Sequence, residues 1–318
     1  IQMDYSSSNP LVEAYIGYHF DKHTSLYFGQ KQVSHNNLEM THDEDQLRFP
    51  NRGLISSAYT ENGEEFGLFF KTSFGKSIIF NPTFAITSGD GKNSFGDDSR
   101  DSDKGGIKFG SRVNIFPFGE FTTGNQLSTV DLTHEQKIKV QFGIAYSKNF
   151  GASNKVGDGH GDFTLFDNFG NELFPDYSQL FFDLNLKYKG FSLVLEYADA
   201  FASGLDEIYT DPNSFNLLIP QEISEYLVIG DSQGIQFGYF TKNGLSIDFI
   251  FEHFNPEFDL NESSILRKSS NTGLGISKYL SGNSLKLQAS LFNTVYDSLN
   301  NQNDDEFISG SFLVQIAF

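Results

Sequence analysis

The sequence contains no cysteine, so it forms neither disulfide bonds nor thiolate metal sites. It also lacks any run of about 20 apolar residues, which excludes a conventional membrane-spanning helix. Basic residues are few: Lys and Arg number 22 against 41 Asp and Glu, and the formal charge of -19 argues against nucleic acid as a partner. These absences leave soluble proteins and membrane β-barrels as the main classes.

Glycine and aromatic residues are abundant, with 30 Gly, 35 Phe and 14 Tyr, and this composition favours many strands joined by tight turns. In the stretch 106–116, Ile107 and Phe109 fall on one face of a strand while Lys108 and Arg112 fall on the other. The same alternation recurs at 12–33, 64–87, 137–147, 179–198, 234–254, 272–295 and in the final stretch through Phe318. Fourteen strands are predicted in total.

The predicted connections alternate in length. Five are tight and five are long and polar, the long ones being 34–63, 88–105, 149–177, 201–231 and 255–270. Short turns on one rim and long loops on the other are typical of outer-membrane barrels, whereas a soluble β sandwich has no reason for this asymmetry. We therefore predict an all-β, antiparallel transmembrane β-barrel that forms a single domain over residues 1–318. The expected location is a bacterial outer membrane, among its lipids and lipopolysaccharide, with the long loops outside the cell.

Several stretches resemble the phosphate-selective porin O/P family of bacterial outer membranes. They are "EAYIGYHFDKHTSLYFGQKQ" (13–32), "LRFPNRGLI" (47–55) and "GSRVNIFPFGEF" (110–121), the last leading into the one long connection on the short-turn side, 117–136. The resemblance implies sixteen strands in the intact barrel, so that two strands would precede Ile1. A barrel of fourteen strands is the alternative, since an even number also closes.

Alternation assigns the charged residues of the strands to the barrel interior. Those predicted to line the pore are Lys31, Lys71, Lys108, Arg112, Lys139, Asp183, Lys187, Glu196, Asp248, Glu252 and Lys286. The resemblance adds Arg48 and Arg52, which lie in 34–63, where an infolded loop is expected. Opposed basic and acidic walls orient solutes in porin constrictions, although each residue could instead be an ordinary water-facing side chain. Acidic residues at 43–45 in the same loop argue against strong phosphate selectivity.

Two loops rich in Asp and Gly, 90–106 and 157–163, have carboxylates at spacings that suit calcium. Asp98, Asp101 and Asp103 are the candidate ligands, and a solvated acidic loop is the alternative. No other cofactor is expected.

Passive diffusion of small hydrophilic solutes or ions, with anions as one option, is the leading predicted function. A plugged barrel that serves as a structural or docking subunit of a larger complex, or an oligomer, is the alternative, and the apolar loop 216–230 favours it. A hydrolase is the third class, but there is no GxSxG motif, so no enzymatic activity is predicted.

Overall fold

A computed structural model of the chain describes residues 1–5, 10–93, 106–159, 161–205, 207–258, 263–298 and 305–316. Within these ranges there are fifteen strands and one short α-helix. The strands are β1 (Gln2–Met3), β2 (Leu11–His19), β3 (Ser25–Gln32), β4 (Glu64–Lys71), β5 (Phe74–Gly75), β6 (Ile79–Thr87), β7 (Lys108–Phe116), β8 (Lys139–Asn149), β9 (Asp176–Tyr188), β10 (Phe191–Ser203), β11 (Gly230–Phe240), β12 (Leu245–Pro256), β13 (Ser269–Ser281), β14 (Leu285–Tyr296) and β15 (Asp305–Ile316). The helix is α1 (Leu54–Tyr59).

The strands form one antiparallel sheet in which each strand pairs with its neighbour in sequence. The two-residue strand β5 pairs only with β6, so the continuous path through the sheet has fourteen strands. The predicted all-β antiparallel fold is therefore confirmed. In the parts of the chain described above, no pairing joins β15 to β1 or β2, and the sheet has two edges.

The connections lie at two rims of different character. The short-turn rim carries the turns after β2, β9, β11 and β13. The connections after β3, β6, β8, β10 and β12 begin and end at the long-loop rim, and their described residues are 33–63, 88–93, 106–107, 150–159, 161–175, 204–205, 207–229, 257–258 and 263–268. The tightest turn is Lys189–Gly190, where both residues have positive φ, 49° and 91°, as in a two-residue hairpin that matches the twist of its strands. Placing the long-loop rim outside the cell stays a prediction.

Apolar side chains cover the outer face of the sheet. Leu274, in the middle of β13, is 59% exposed, and Ile247 of β12 is 58% exposed, whereas Asp248, the next residue after Ile247, points inward and is buried. A face of this kind is stable against lipid hydrocarbon, because alternate residues separate lipid from lumen. No helix in the described ranges is long and apolar enough to cross a membrane.

The described residues form three apolar clusters in the interior. One consists of Val33, Phe69 of β4 and Ala85 of β6, and the other two lie near the two rims. The larger lies near the long-loop rim, where Tyr59 and Phe181 pack with Leu227 and other residues of the 150–175 and 204–229 loops. The smaller lies near the short-turn rim and consists of Val130, Phe240 and Tyr279. Much of the interior is therefore packed with side chains at both ends.

Candidate functional site: a segment folded into the lumen

Residues 33–63, which connect β3 to β4, fold back inside the sheet, and we call them the lumen segment. His35, Leu38, Ile55 and Tyr59 of this segment are all buried. It contains two short 3-10 turns, Glu39–Thr41 and Glu44–Gln46, followed by α1. A loop that was predicted to be polar and infolded is thus a packed element of the interior.

Glu252 of β12 holds the start of α1. Its carboxylate accepts hydrogen bonds from the backbone N–H groups of Leu54, at 3.0 Å, and Ile55, at 2.9 Å. The first N–H groups of a helix have no partner within the helix, so an acceptor at this position satisfies them. Asn271 of β13 donates to the same carboxylate at 2.7 Å and fixes its orientation.

Two further carboxylates, those of Glu196 and Glu39, hold the first half of the segment. Glu196 of β10 accepts hydrogen bonds from the Asn37 amide at 3.0 Å and from the Glu39 N–H at 3.3 Å. Glu39 in turn accepts from the Gly53 N–H at 2.8 Å and from the Ser56 hydroxyl. These contacts join the two halves of the lumen segment to each other and attach the segment to β10.

Basic residues add further attachments to β9, β10, β12 and β14. Arg48 lies 3.5 Å from Asp248 of β12 and donates to the Ser192 hydroxyl at 2.8 Å. Lys286 of β14 donates to the Leu47 carbonyl at 2.7 Å. Lys187 of β9 donates to backbone carbonyls of the 117–138 connection. These cations bind backbone carbonyl oxygens, a buried carboxylate and a hydroxyl group.

Arg112 of β7 forms an ion pair with Asp183 of β9 at 2.7 Å and also donates to the Asn36 carbonyl at 2.9 Å. The pair crosses directly over Gly143 of β8, where an added Cβ would lie 2.1 Å from the Asp183 carboxylate. Only glycine leaves room for this contact. Lys108 of β7 also forms an ion pair, in which its Nζ lies 2.7 Å from the carboxylate of Glu65 of β4.

The structure corrects the predicted pore lining. Nine of the thirteen predicted residues face the interior but are only 0–7% exposed, because the lumen segment and the 117–138 connection cover them. They are Arg48, Lys108, Arg112, Asp183, Lys187, Glu196, Asp248, Glu252 and Lys286. Strand alternation predicts which side of the sheet a residue faces, but it does not predict what fills the lumen. Because these nine residues are covered, they do not line an open passage. Of the other four, Lys71 is exposed and Lys31, Arg52 and Lys139 are half-buried.

A cleft lies between the lumen segment and strands β1 to β4. Two adjoining cavities of about 410 and 540 Å³ form it, and they share Gln32, Glu44, Arg52, Asn62 and Glu64. Seven carboxylates and three cationic side chains line the cleft: Asp4, Glu13, Asp43, Glu44, Asp45, Glu61 and Glu64 against Arg52, Lys92 and Lys155. Arg52 is tied to the backbone carbonyls of Glu39 and His42, at 2.7 and 3.0 Å.

Asp158, from the 150–175 loop, joins that loop to the lumen segment. Its carboxylate accepts hydrogen bonds from the N–H groups of Glu61 and Asn62, both at 3.1 Å, and burial raises its pKa to about 6. Asp158 of the acidic stretch thus holds a loop in place, whereas Asp162 is exposed. Within the described ranges no group of three His, Cys, Asp or Glu residues could hold a metal ion, and Asp98, Asp101 and Asp103 lie outside them.

Two histidines of the lumen segment are neutral at pH 7. Burial lowers the pKa of His35 to about 4, and it has the same effect on His42. The Nδ1–H of His42 donates a hydrogen bond to the Leu38 carbonyl at 3.0 Å.

Sequence reasoning missed the parts of the segment that do the binding, including Asn37, Glu39 and Tyr59. One signal was present: Leu38, Leu47 and Ile55 are too apolar for a free loop. Their burial shows that this connection belongs to the interior.

No family model matches the chain, and no curated protein matches it either. Among solved structures, OprB of Pseudomonas putida aligns with 95% of this chain and 71% of its own at 11% identity and a TM-score of 0.51. A loop L8 deletion mutant of OmpT, an outer membrane protein of Vibrio cholerae, aligns over 95% and 79% at 10% identity and a TM-score of 0.46. A BenF-like porin from Pseudomonas fluorescens Pf-5 aligns over 99% and 80% at 10% identity and a TM-score of 0.36.

At these identities the likeness concerns the fold alone. Membership of the phosphate-selective porin O/P family stays a prediction, and the outer-membrane location predicted from the sequence agrees with the fold. The chain has the fold of an outer-membrane β-barrel.

Proposed function

We propose that the protein is a channel for passive diffusion of small hydrophilic solutes, with the acidic cleft as its selective entrance. The observation that carries this proposal is the position of the cleft, which opens beside the lumen segment where the interior is not packed. Solutes would pass along β1 to β4, because the opposite side of the interior is filled.

The charges around the cleft support cations as the favoured solutes, although the sequence left anions open. The basic residues expected to attract anions are used elsewhere: Arg48, Lys108 and Arg112 are paired with buried carboxylates. The cleft keeps seven carboxylates against three cations, and one of those, Lys155, lies 3.5 Å from Glu61. A narrow passage lined by one sign of charge concentrates counter-ions of the other sign.

The test is the reversal potential of the full chain in a planar bilayer under a KCl gradient. We expect cation preference at low salt that weakens at physiological ionic strength and above, where the Debye length is about 8 Å or less. The double variant Glu44→Gln/Asp45→Asn should lower this preference. The matched control Glu172→Gln/Glu207→Gln removes the same charge from loops outside the cleft and should leave it unchanged. An anion preference, or equal shifts in both variants, would reject the assignment.

The second candidate is a plugged barrel that acts as a docking subunit. Its support is an exposed aromatic tip on the long-loop rim, where Phe169 and Phe215 are 84% and 83% exposed. The loop 216–230, which favoured this alternative, is partly used in packing, since Leu218, Ile223 and Leu227 are buried. Absence of any single-channel current in the same bilayer experiment would favour the docking role. Neither candidate is an enzyme.

A further inference from the structure

The aromatic tip of the long-loop rim, formed by residues 161–175 and 207–222, presents two phenylalanine rings to solvent. Phe169 and Phe215 are 84% and 83% exposed, more than any other phenylalanine in the described part of the chain. Leu217 and Ile219 of the same tip are about half exposed. Aromatic side chains are enriched at protein–protein interfaces, because their burial removes a large apolar area from water.

An aspartate organises the turn that carries each ring. The carboxylate of Asp167 accepts a hydrogen bond from the N–H of Phe169 at 2.8 Å. The carboxylate of Asp211 accepts from the N–H of Phe215 at 3.1 Å. Turns of this kind fix the backbone locally. Each ring therefore stands directly above a carboxylate on a defined turn.

The two turns are joined into one frame. Phe166 and Tyr209 exchange backbone hydrogen bonds of 2.9 and 2.8 Å, and the Ser214 hydroxyl donates to the Asp167 carbonyl at 3.3 Å. Leu165 and Ile208, next to this pair in sequence, are fully buried in the larger apolar cluster. Because the frame is already ordered, a partner that binds the rings loses little affinity to ordering of these loops.

The charges of the aromatic tip have a single sign. Residues 161–175 and 207–222 each contain three Asp or Glu residues and no Lys, Arg or His. Besides the two aspartates under the rings, Glu207 accepts a hydrogen bond at 3.0 Å from the amide of Asn168, the residue before Phe169. Hydrogen bonds, the strongest from the Asn171 amide, lower the pKa of Asp167, so this carboxylate is ionised at pH 7. A surface of this charge repels phosphate groups and a second copy of itself.

An aromatic ring beside a carboxylate is an arrangement that binds Arg and Lys side chains. The face of the ring attracts the cation, and the carboxylate supplies a charge-assisted hydrogen bond. The tip contains two such units, at Phe169 and Phe215, and a frame that holds both suits two cations on one chain better than a small cation. The exposed Leu217 and Ile219 favour apolar residues in the same partner.

We propose that the aromatic tip binds a polypeptide segment that carries at least two Arg or Lys residues next to apolar ones. This inference deepens the docking role proposed above, and it holds whether or not the lumen conducts. The partner approaches from the side of the membrane that the long loops face.

The experiment uses the full chain in nanodiscs of phosphatidylcholine, which has no net charge, and a fluorescent synthetic peptide of alternating Arg and Leu. Fluorescence anisotropy at low salt should show binding of this peptide and none of a peptide with Glu in place of Arg. Phe169→Ser/Phe215→Ser should lower the affinity at least ten-fold. The matched control Phe74→Ser/Phe118→Ser, which changes two exposed phenylalanines away from the long-loop rim, should not lower it.

The charge variant Glu172→Gln/Glu207→Gln separates this inference from the proposed channel. It should weaken peptide binding at least three-fold and leave the ion preference unchanged, because both residues lie outside the cleft. A chain that conducts but does not bind the Arg peptide keeps the channel and rejects this inference. A chain that binds the peptide without any current supports this inference together with the docking role.

A second measurement does not depend on loss of affinity. A p-benzoyl-phenylalanine placed at Phe169 should crosslink the Arg peptide on irradiation, whereas one placed at Phe118 should not. Equal binding of the two peptides, full affinity in Phe169→Ser/Phe215→Ser, or pairing of two copies of the chain through their tips would overturn the proposal.

Discussion

Inward-facing charged residues have different surroundings on the two sides of the barrel. On the filled side, β7 to β14, charged residues such as Asp183 and Glu252 are buried and bound to the lumen segment or to one another. On the open side, β1 to β3, the pair Lys31–Glu13 spans 3.6 Å and Lys31 keeps 27% of its side chain exposed. The same residue types at the same strand periodicity therefore serve structure on one side and face water on the other. What differs is the segment that covers them.

The largest expected difference concerns the ion pairs. Asp183→Asn leaves Arg112 buried without its carboxylate, and this should lower the free energy of unfolding by about 3–5 kcal/mol. Lys31→Gln breaks a partly exposed pair and should cost less than about 1 kcal/mol. Chemical unfolding of both variants in liposomes measures the two costs. Similar values would show that the two sides are equally hydrated.

The second-largest effect is expected from acidification, which should lower the free energy of unfolding through groups on the filled side. The pKa of His42 is about 4 in the folded chain, because burial lowers it, and about 6.5 in the unfolded chain. Between these values only the unfolded chain binds the proton, so the stability present above pH 6.5 is lost as the pH falls toward 4, by up to roughly 3 kcal/mol. Unfolding measured from pH 7 to 4 should show this slope. His42→Gln should reduce this slope and leave the part that His35 contributes, whereas His23→Gln, in an exposed turn, should leave the slope unchanged.

The smallest effect is expected from a single hydroxyl group. Tyr59 of the lumen segment donates to the Gly230 carbonyl at 3.0 Å and lies 2.9 Å from the Ser232 hydroxyl. Tyr59→Phe should therefore cost about 1 kcal/mol. Tyr15→Phe, on the exposed inward face of β2, is the matched control and should be neutral. A neutral Tyr59→Phe would mean that the segment is not held at this point.

Strand alternation predicted much of the fold, because it depends only on which residues face lipid. Lys108 and Arg112 were correctly placed on the inner face by this rule. The partners of the buried cations could not be predicted. Arg112 forms an ion pair with Asp183, 71 residues away, and Arg48 of the lumen segment lies beside Asp248 of β12. Reversal of charge at Lys108 and Arg112 would disrupt buried ion pairs and is therefore a poor test of selectivity. The cleft carboxylates at Glu44 and Asp45 are the better target.

The attachment of the lumen segment has a consequence for the order of assembly. Lys286 binds the Leu47 carbonyl across 239 residues of chain, and Gln315 binds the Asp45 carbonyl across 270. Contacts this distant form only after the intervening strands have paired, because loop closure must come first. The lumen segment therefore binds its partners in β14 and β15 only after those strands have paired. Until then Leu38 and Ile55 remain uncovered, so nascent chains need protection from aggregation for as long as the barrel is incomplete.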